Sequence, residues 1–469
     1  LKLSGLKLCS LNVARLTKRS LNKVSPANKA SPANKISPGF AWLLLPLLTL
    51  FHASVFAAVI TVTGQDNLQL KLDTSQNGDT VILNGGEYLG NFTVEQSITL
   101  QGQQGAKIDA NGTGNALTLF ASGITIENLN IVNWGSDLTE QNAGIYSDKA
   151  LNNLTFRGNS FKGDAFGIWA QRVDTILIEN NTIEGNPTLR SADRGNGIQL
   201  SGVKNALVVG NTVSKTRDGL YIISSQDSEL RGNTMHDLRY GVHYMYSHHN
   251  RVIDNTAYNT RAGYALMSSR QLTVHGNRSR DSEDYGMLMN FITHSDISYN
   301  QIKNVWTKPE NKVIGRDGKG LFVYNSGYNT ISHNVIDTAE IGIHLTAGSE
   351  NGKIFGNSFI NNPVQVKYVS NQKQEWSQNG VGNFWSNYLG WDLDNNNIGD
   401  TPFEPNDGID KVVWKYPESK VLLDSPSVLM LRWIQKQFPV LKPPGVKDSH
   451  PLMMQPSIQS PADTTGTRS

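Results

Sequence analysis

The sequence predicts an all-β chain wound as a right-handed parallel β-helix, with three short strands per coil and about 22 residues per coil. Two observations predict it. Three consecutive units of one length, GLYIISSQDSELRGNTMHDLRY, GVHYMYSHHNRVIDNTAYNTRA and GYALMSSRQLTVHGNRSRDSED, each open on Gly with apolar residues at alternate positions. Each also carries an Asn fourteen residues later, at Asn233, Asn255 and Asn277. The Gly recurs from Gly144 to Gly342 at spacings of 22 or 23, broken only by one gap of 30 and one of 34. The Asn recurs from Asn159 through Asn334 and Asn357 to Asn383. A constant period in the twenties, with alternating strands and no helical period, marks a solenoid. Stacked coils lie about 4.8 Å apart, so each Asn falls on the next and its amide reaches the neighbours above and below. A β-sandwich would not hold one residue at one phase.

Residues 1–57 hold eight Lys or Arg and no acid, then an uncharged run, GFAWLLLPLLTLF, then small residues around Val55 and Ala57. That order reads as a basic lead and secretory signal. Removing eight of the 42 basic residues leaves 34 against 40 acidic ones, a net charge of about −6, which argues against nucleic acid as a partner. The single Cys, Cys9, lies in the lead, so the exported part has neither disulfide nor thiolate. The solenoid is expected over residues 58–390. Leu68 and Leu72, at helical spacing before Asn77-Gly78, predict a short helix over its open first coil. The two long gaps place inserts at Glu184–Gly195 and Val305–Lys319, which must leave from one edge of the prism. Inserts on one side often mark a binding face.

Phase within the coil separates core from surface. Met235, Met287 and Met289 point inward as filling. His243, Met245 and Met267 fall two or four residues after their Gly, on the outer side of the strand. The same outward columns hold Tyr221, Ile223, Leu288, Phe322, Tyr324 and His344, where a solvated strand would carry Thr, Ser, Lys and Glu. That suggests a ligand or docking surface. Thioether plus imidazole without thiolate suits Cu(I), with His243, Met245 and Met267 as candidate ligands and His248 and His249 in the turn that follows.

Residues 391–453 are expected to close the far end. Asp392, Asp394, Asn396 and Asp400 alternate as oxygen donors, which makes them candidate Ca²⁺ ligands; a self-bonded Asn/Asp turn is the other reading. DSPSVLMLRWIQKQFP predicts a helix with Ser425 as N-cap and Pro426 at its first position. Its wide apolar face, including Leu431, Trp433 and Ile434, must cap the last coil or dock on a partner. The proline-bearing stretch from Lys442 is expected to be extended or disordered, and residues 454–469 form a disordered tail.

The coil region, the stretch GNFWSNYLGWDLDNNNIGDTPFEPNDGIDKVVWKYP, the segment SPSVLMLRWIQKQFPVLKPPGVKDSHPLM and the Met/His coil together resemble the NosD family, periplasmic copper-binding maturation proteins of nitrous oxide reductase. The resemblance implies a non-enzymatic periplasmic factor, held at the inner membrane by an ABC-type permease with a cytoplasmic ATPase. It also implies a membrane-anchored copper chaperone as supplier of copper and the reductase as its destination. The rival reading on the same fold is a carbohydrate lyase, epimerase or hydrolase, which needs clustered acids in a groove. Asp218, Asp237, Asp254 and Asp284 are the available acids, and they are expected in turns at different phases.

Overall fold

A computed structural model describes residues 57–457 except 347, 371 and 439–443. The lead and signal up to 56, and the tail from 458, lie outside the described residues. The described chain is a parallel β-solenoid with three ladders of strands. One ladder starts at Val59–Val62 and Thr80–Leu83, climbs rung by rung, and ends at Lys353–Phe355. The other two run side by side. In the three most regular coils they merge into the continuous strands Thr234–Met245, Thr256–Met267 and Arg278–Asn290.

The repeated Asn forms one buried ladder. Asn233 donates from both its backbone N and its Nδ2 to Asn255 Oδ1, at 3.0 and 2.9 Å, and the same pair of bonds joins Asn255 to Asn277. Each Nδ2 also reaches a strand carbonyl one coil back, as Asn255 does at Leu230. The chain of bonds begins at Asn159 and runs to Asn383. The repeated Gly has a different cause. A Cβ on Gly241 would stand 2.6 Å from the carbonyl oxygen of Gly263 and 2.8 Å from the Ala257 methyl, so neighbouring coils approach too closely there for any side chain.

The predicted first helix, α1 (Leu68–Thr74), buries Leu68 and Leu72, and Asn67 caps it by accepting from Leu70 N. At the far end the first of the two expectations for the apolar helix is not met. The last coil is closed by a stack of Phe359, Trp376, Trp385 and Phe403, not by the apolar helix. From residue 444 onward the chain is extended and pinned. Val446–Lys447 pairs with Gln374–Glu375, and Leu452 bridges to Phe384 and Ile398. Asp448 terminates the Asn ladder by accepting from Asn383 N at 2.7 Å and from Trp385 Nε1 at 2.8 Å. Burial pushes its carboxyl above the usual range, against the pull of those bonds.

Asp448→Ala is therefore expected to leave a buried amide and a buried indole N–H unpaired, costing about 3 kcal/mol. Asp448→Asn keeps an acceptor without the buried charge and should cost far less. Denaturant titration of the two variants separates these outcomes.

Helix α2 (Gly408–Lys415) was not expected. Its signal was Asp407 followed three residues later by Asp410, which form a reciprocal capping box. Helix α3 (Pro426–Gln437) starts at the Ser425 N-cap as predicted. It meets α2 through polar groups. Arg432 bonds Asp407 and Asp410, and Gln435 accepts from Gly408 N. Leu429, Met430, Leu431 and Trp433 are consequently left exposed, while Val428 and Ile434 are half-buried.

Candidate metal-binding face

The strand phases place the Met and His side chains as follows. Met235, Met287 and Met289 are in the core. His243, Met245 and Met267 lie on the outer side of their ladder, alternating with the buried Val242, Tyr244 and Leu266. Register stacks Tyr221, His243, Ala265, Leu288, Phe322 and His344 in one column and Ile223, Met245, Met267, Asn290 and Tyr324 in the next.

His243 is on the outer face yet is almost fully covered. The Tyr221 ring lies 4.5 Å away between centroids, and Tyr240 meets it edge-on at 5.1 Å. Its Nδ1 is 2.9 Å from Asp218 Oδ2. Arg239 holds the same carboxylate with two bonds, Nε to Oδ1 at 2.8 Å and Nη2 to Oδ2 at 2.5 Å. Burial alone would raise the Asp218 carboxyl; the His243 bond and the Arg239 bonds and charge outweigh it and bring it below the usual range. Nε2 is buried and has no hydrogen-bond partner, so in the neutral ring that donates Nδ1–H to Asp218 the lone pair is on Nε2. A carboxylate behind an imidazole in this way is the usual outer support of a metal-binding histidine. The thioethers are close by: Met245 pairs in register with Met267, and the Tyr221 hydroxyl donates to Met245 Sδ at 3.3 Å. Tyr221 thus bridges imidazole and sulfur. The sequence reading took Asp218 only as an acid of the rival enzyme and did not single out Arg239, because their contacts with His243 and each other cross between coils.

The turn histidines have other partners. His249 Nε2 is 2.6 Å from Gln271 Oε1, and His248 Nδ1 accepts from Arg270 N at 3.3 Å. Among the described residues no three His, Cys or acidic side chains are grouped to hold an ion. The Asp392 loop is closed by its own bonds: Asp392 accepts from Asn396 N and Asn397 N, Asn396 from Ile398 N, and Asp400 from Leu393 N. Asn397 takes φ +66°, a left-handed backbone that Asn tolerates better than most residues.

Farther along the outer face, Phe322 lies between Tyr285, stacked at 5.4 Å, and His344 at 4.8 Å; Tyr324 is partly exposed beside Phe291. Burial, reinforced by Lys367 and Lys319, lowers His344 to about 3, so it is a neutral imidazole. Both inserts do leave from one edge, and they wall a groove of about 930 Å³. The placing of the acids needs correction. Asp254 sits in a turn, Asp237 marks a left-handed bend inside the strand Thr234–Met245, and Asp218 and Asp284 lie within strands, where each is drawn to an arginine of the next or preceding coil. Asp237, Asp281 and Glu283 share the groove.

Fold and site together define a class: a parallel β-solenoid whose outer face carries a carboxylate-supported imidazole beside paired thioethers. The chain belongs to the NosD family. Residues 179–390 match the family model described as periplasmic copper-binding protein (NosD). The chain is 52% identical over 379 residues to the "Probable ABC transporter binding protein NosD" of Pseudomonas aeruginosa, covering 80% of this chain and 89% of that protein. It is 46% identical over 414 residues to the protein of the same name from Stutzerimonas stutzeri, covering 88% and 94%. Among solved structures, the Dettilon tailspike protein matches with a TM-score of 0.49 at 14% identity over 62% of each chain. Among the described residues no helix is long and apolar enough to cross a membrane.

Proposed function

We propose that this protein receives Cu(I) in the periplasm on the His243–Met245–Met267 face and relays it for assembly of the copper centres of nitrous oxide reductase. The observation that carries this reading is the His243 imidazole, held at Nδ1 by Asp218 with Nε2 unpartnered, beside two register-paired thioethers. Two thioethers and one neutral imidazole form a soft, uncharged donor set that favours Cu(I) and holds it loosely enough to pass on. Tyr221 covers the imidazole and occupies the Met245 sulfur, so its side chain must swing aside for copper to enter. A membrane-anchored chaperone supplies the metal, and the protein works with an ABC-type permease and its cytoplasmic ATPase. It is a relay factor, not an enzyme: each acid in the groove is committed to a neighbouring side chain, Asp237 to His236, Asp281 to Arg280 and Glu283 to Arg316.

Competitive Cu(I) titration tests the site. His243→Ala, Met245→Leu and Met267→Leu should each weaken binding at least about tenfold, and Asp218→Asn about tenfold through the imidazole it supports. Unchanged affinity in all four variants would remove the site. The exposed Leu431 and Trp433, with Ile434, are the proposed contact with the permease. Removing residues 424–437 should abolish co-purification with it, whereas a cut extending to 453 would also remove Asp448 and open the last coil.

A further inference from the structure

The groove between the inserts has a built charge pattern. Its floor crosses successive coils, with Arg217, Arg239 and Arg261 stacked 22 residues apart; Arg239 N donates to Arg217 O, and Arg217 N to Gly195 O. Alongside runs a second row at left-handed bends within the strands, Asp237, Asn259, Asp281 and Asn304, all with φ between 51° and 58°. Most of these charges are matched. Arg239 is paired with Asp218 and Arg261 with Asp284, and the three groove acids have the partners named above.

Three cations are not matched by a carboxylate among the described residues. Arg194 spends its guanidinium on the carbonyls of Leu189, Pro187 and Lys215, which fixes it without neutralising it. Arg217 is half-buried, its Nε is shut off from solvent with no hydrogen-bond partner, and no described carboxylate pairs with its guanidinium. Lys308, on the second insert, is exposed at the other end of the groove. Unmatched positive charge therefore stands at both ends, with the paired acids between them.

From the Arg217 coil to the coil that carries the second insert is four coil steps, about 19 Å, the length of roughly six extended residues. We infer that the groove binds an extended, acidic segment of a partner protein about six residues long, with one carboxylate on Arg217 and another toward Lys308. Between them, the side-chain carbonyls of Asn259 and Asn304, whose amide groups donate to Asp237 and Asp281, suit the amide N–H groups of such a backbone. Only one aromatic side chain, Trp306, is on the lining, which favours a peptide over a sugar chain that needs flat stacking surfaces.

The inference stands apart from the copper reading and is tested without metal. Acetylated hexaglutamate amide is titrated into the metal-free full chain at low salt, with hexaglutamine and a hexagalacturonate as comparison ligands. Hexaglutamate should bind, with affinity falling as salt rises. Arg217→Gln should weaken it about tenfold, the loss of one charge-assisted bond. Lys308→Gln, on an exposed insert that does not support the coils, should weaken it by a smaller factor and guards against a folding defect in Arg217→Gln. Equal binding of hexaglutamine, unaltered binding in both variants, or a preference for hexagalacturonate would each overturn the inference.

Discussion

Asn255→Ala should destabilise the solenoid by about 3–5 kcal/mol, because it strands several buried groups at once. Asn255 sits in the middle of the amide ladder and is fully buried. Its Oδ1 takes both bonds from Asn233, and its Nδ2 serves Leu230 O and Asn277 Oδ1. Alanine leaves the Asn233 backbone N–H and the Leu230 carbonyl dry and unpaired, with no water able to reach them. Asn255→Asp is the sharper test. It keeps the acceptor but removes both Nδ2 bonds and sets a carboxylate against Asn277 Oδ1. It should be at least as damaging at neutral pH and recover in part as the solution is acidified and the carboxyl takes up a proton. Because coils couple mainly to their neighbours, the loss should appear first as faster amide exchange in the coils around Asn233, Asn255 and Asn277, and then as a lower unfolding midpoint. Exchange unchanged in those coils would mean the ladder contributes little.

The second large effect concerns the repeat Gly. Gly241→Ala should cost about 2–3 kcal/mol by overpacking, since the new methyl meets the Gly263 carbonyl at 2.6 Å and the Ala257 methyl at 2.8 Å. Neither can retreat without moving a whole rung. Gly232→Ala is the natural comparison. Gly232 has φ +61° with nothing within 4 Å of an added Cβ, so it carries only the left-handed penalty of about 1–2 kcal/mol. Denaturant unfolding of the two variants tells crowding from backbone strain. Gly241→Ala also displaces the strand that carries His243, so its Cu(I) affinity should fall, while that of Gly232→Ala should not.

The periodic features were legible because a solenoid repeats the same local environment along the chain. Fixed spacing of Gly and Asn gave the coil, the ladder and the inward or outward sense of each Met and His, since side-chain direction follows strand parity. The Ser425-Pro426 start of α3 and the buried Leu68 and Leu72 of α1 were equally local signals. Breaks in the period located both inserts.

What spacing could not show was which groups meet across coils. Asp218 reaches His243 over 25 residues, Arg239 reaches Asp218 over 21, and Asp448 reaches Asn383 over 65. Each pairing depends on side-chain length and lateral position, which have no period. Amphipathicity likewise said that α3 has a wide apolar face but not where that face points; a salt bridge from Arg432 to the α2 cap turns the polar side inward. Sequence alone therefore determined the spiral and the outward sulfur and imidazole, because these follow from backbone repetition. Only the tertiary structure decided which carboxylate supports the imidazole, what covers it, and how the last coil is closed, because those are contacts between parts of the chain that no repeat relates.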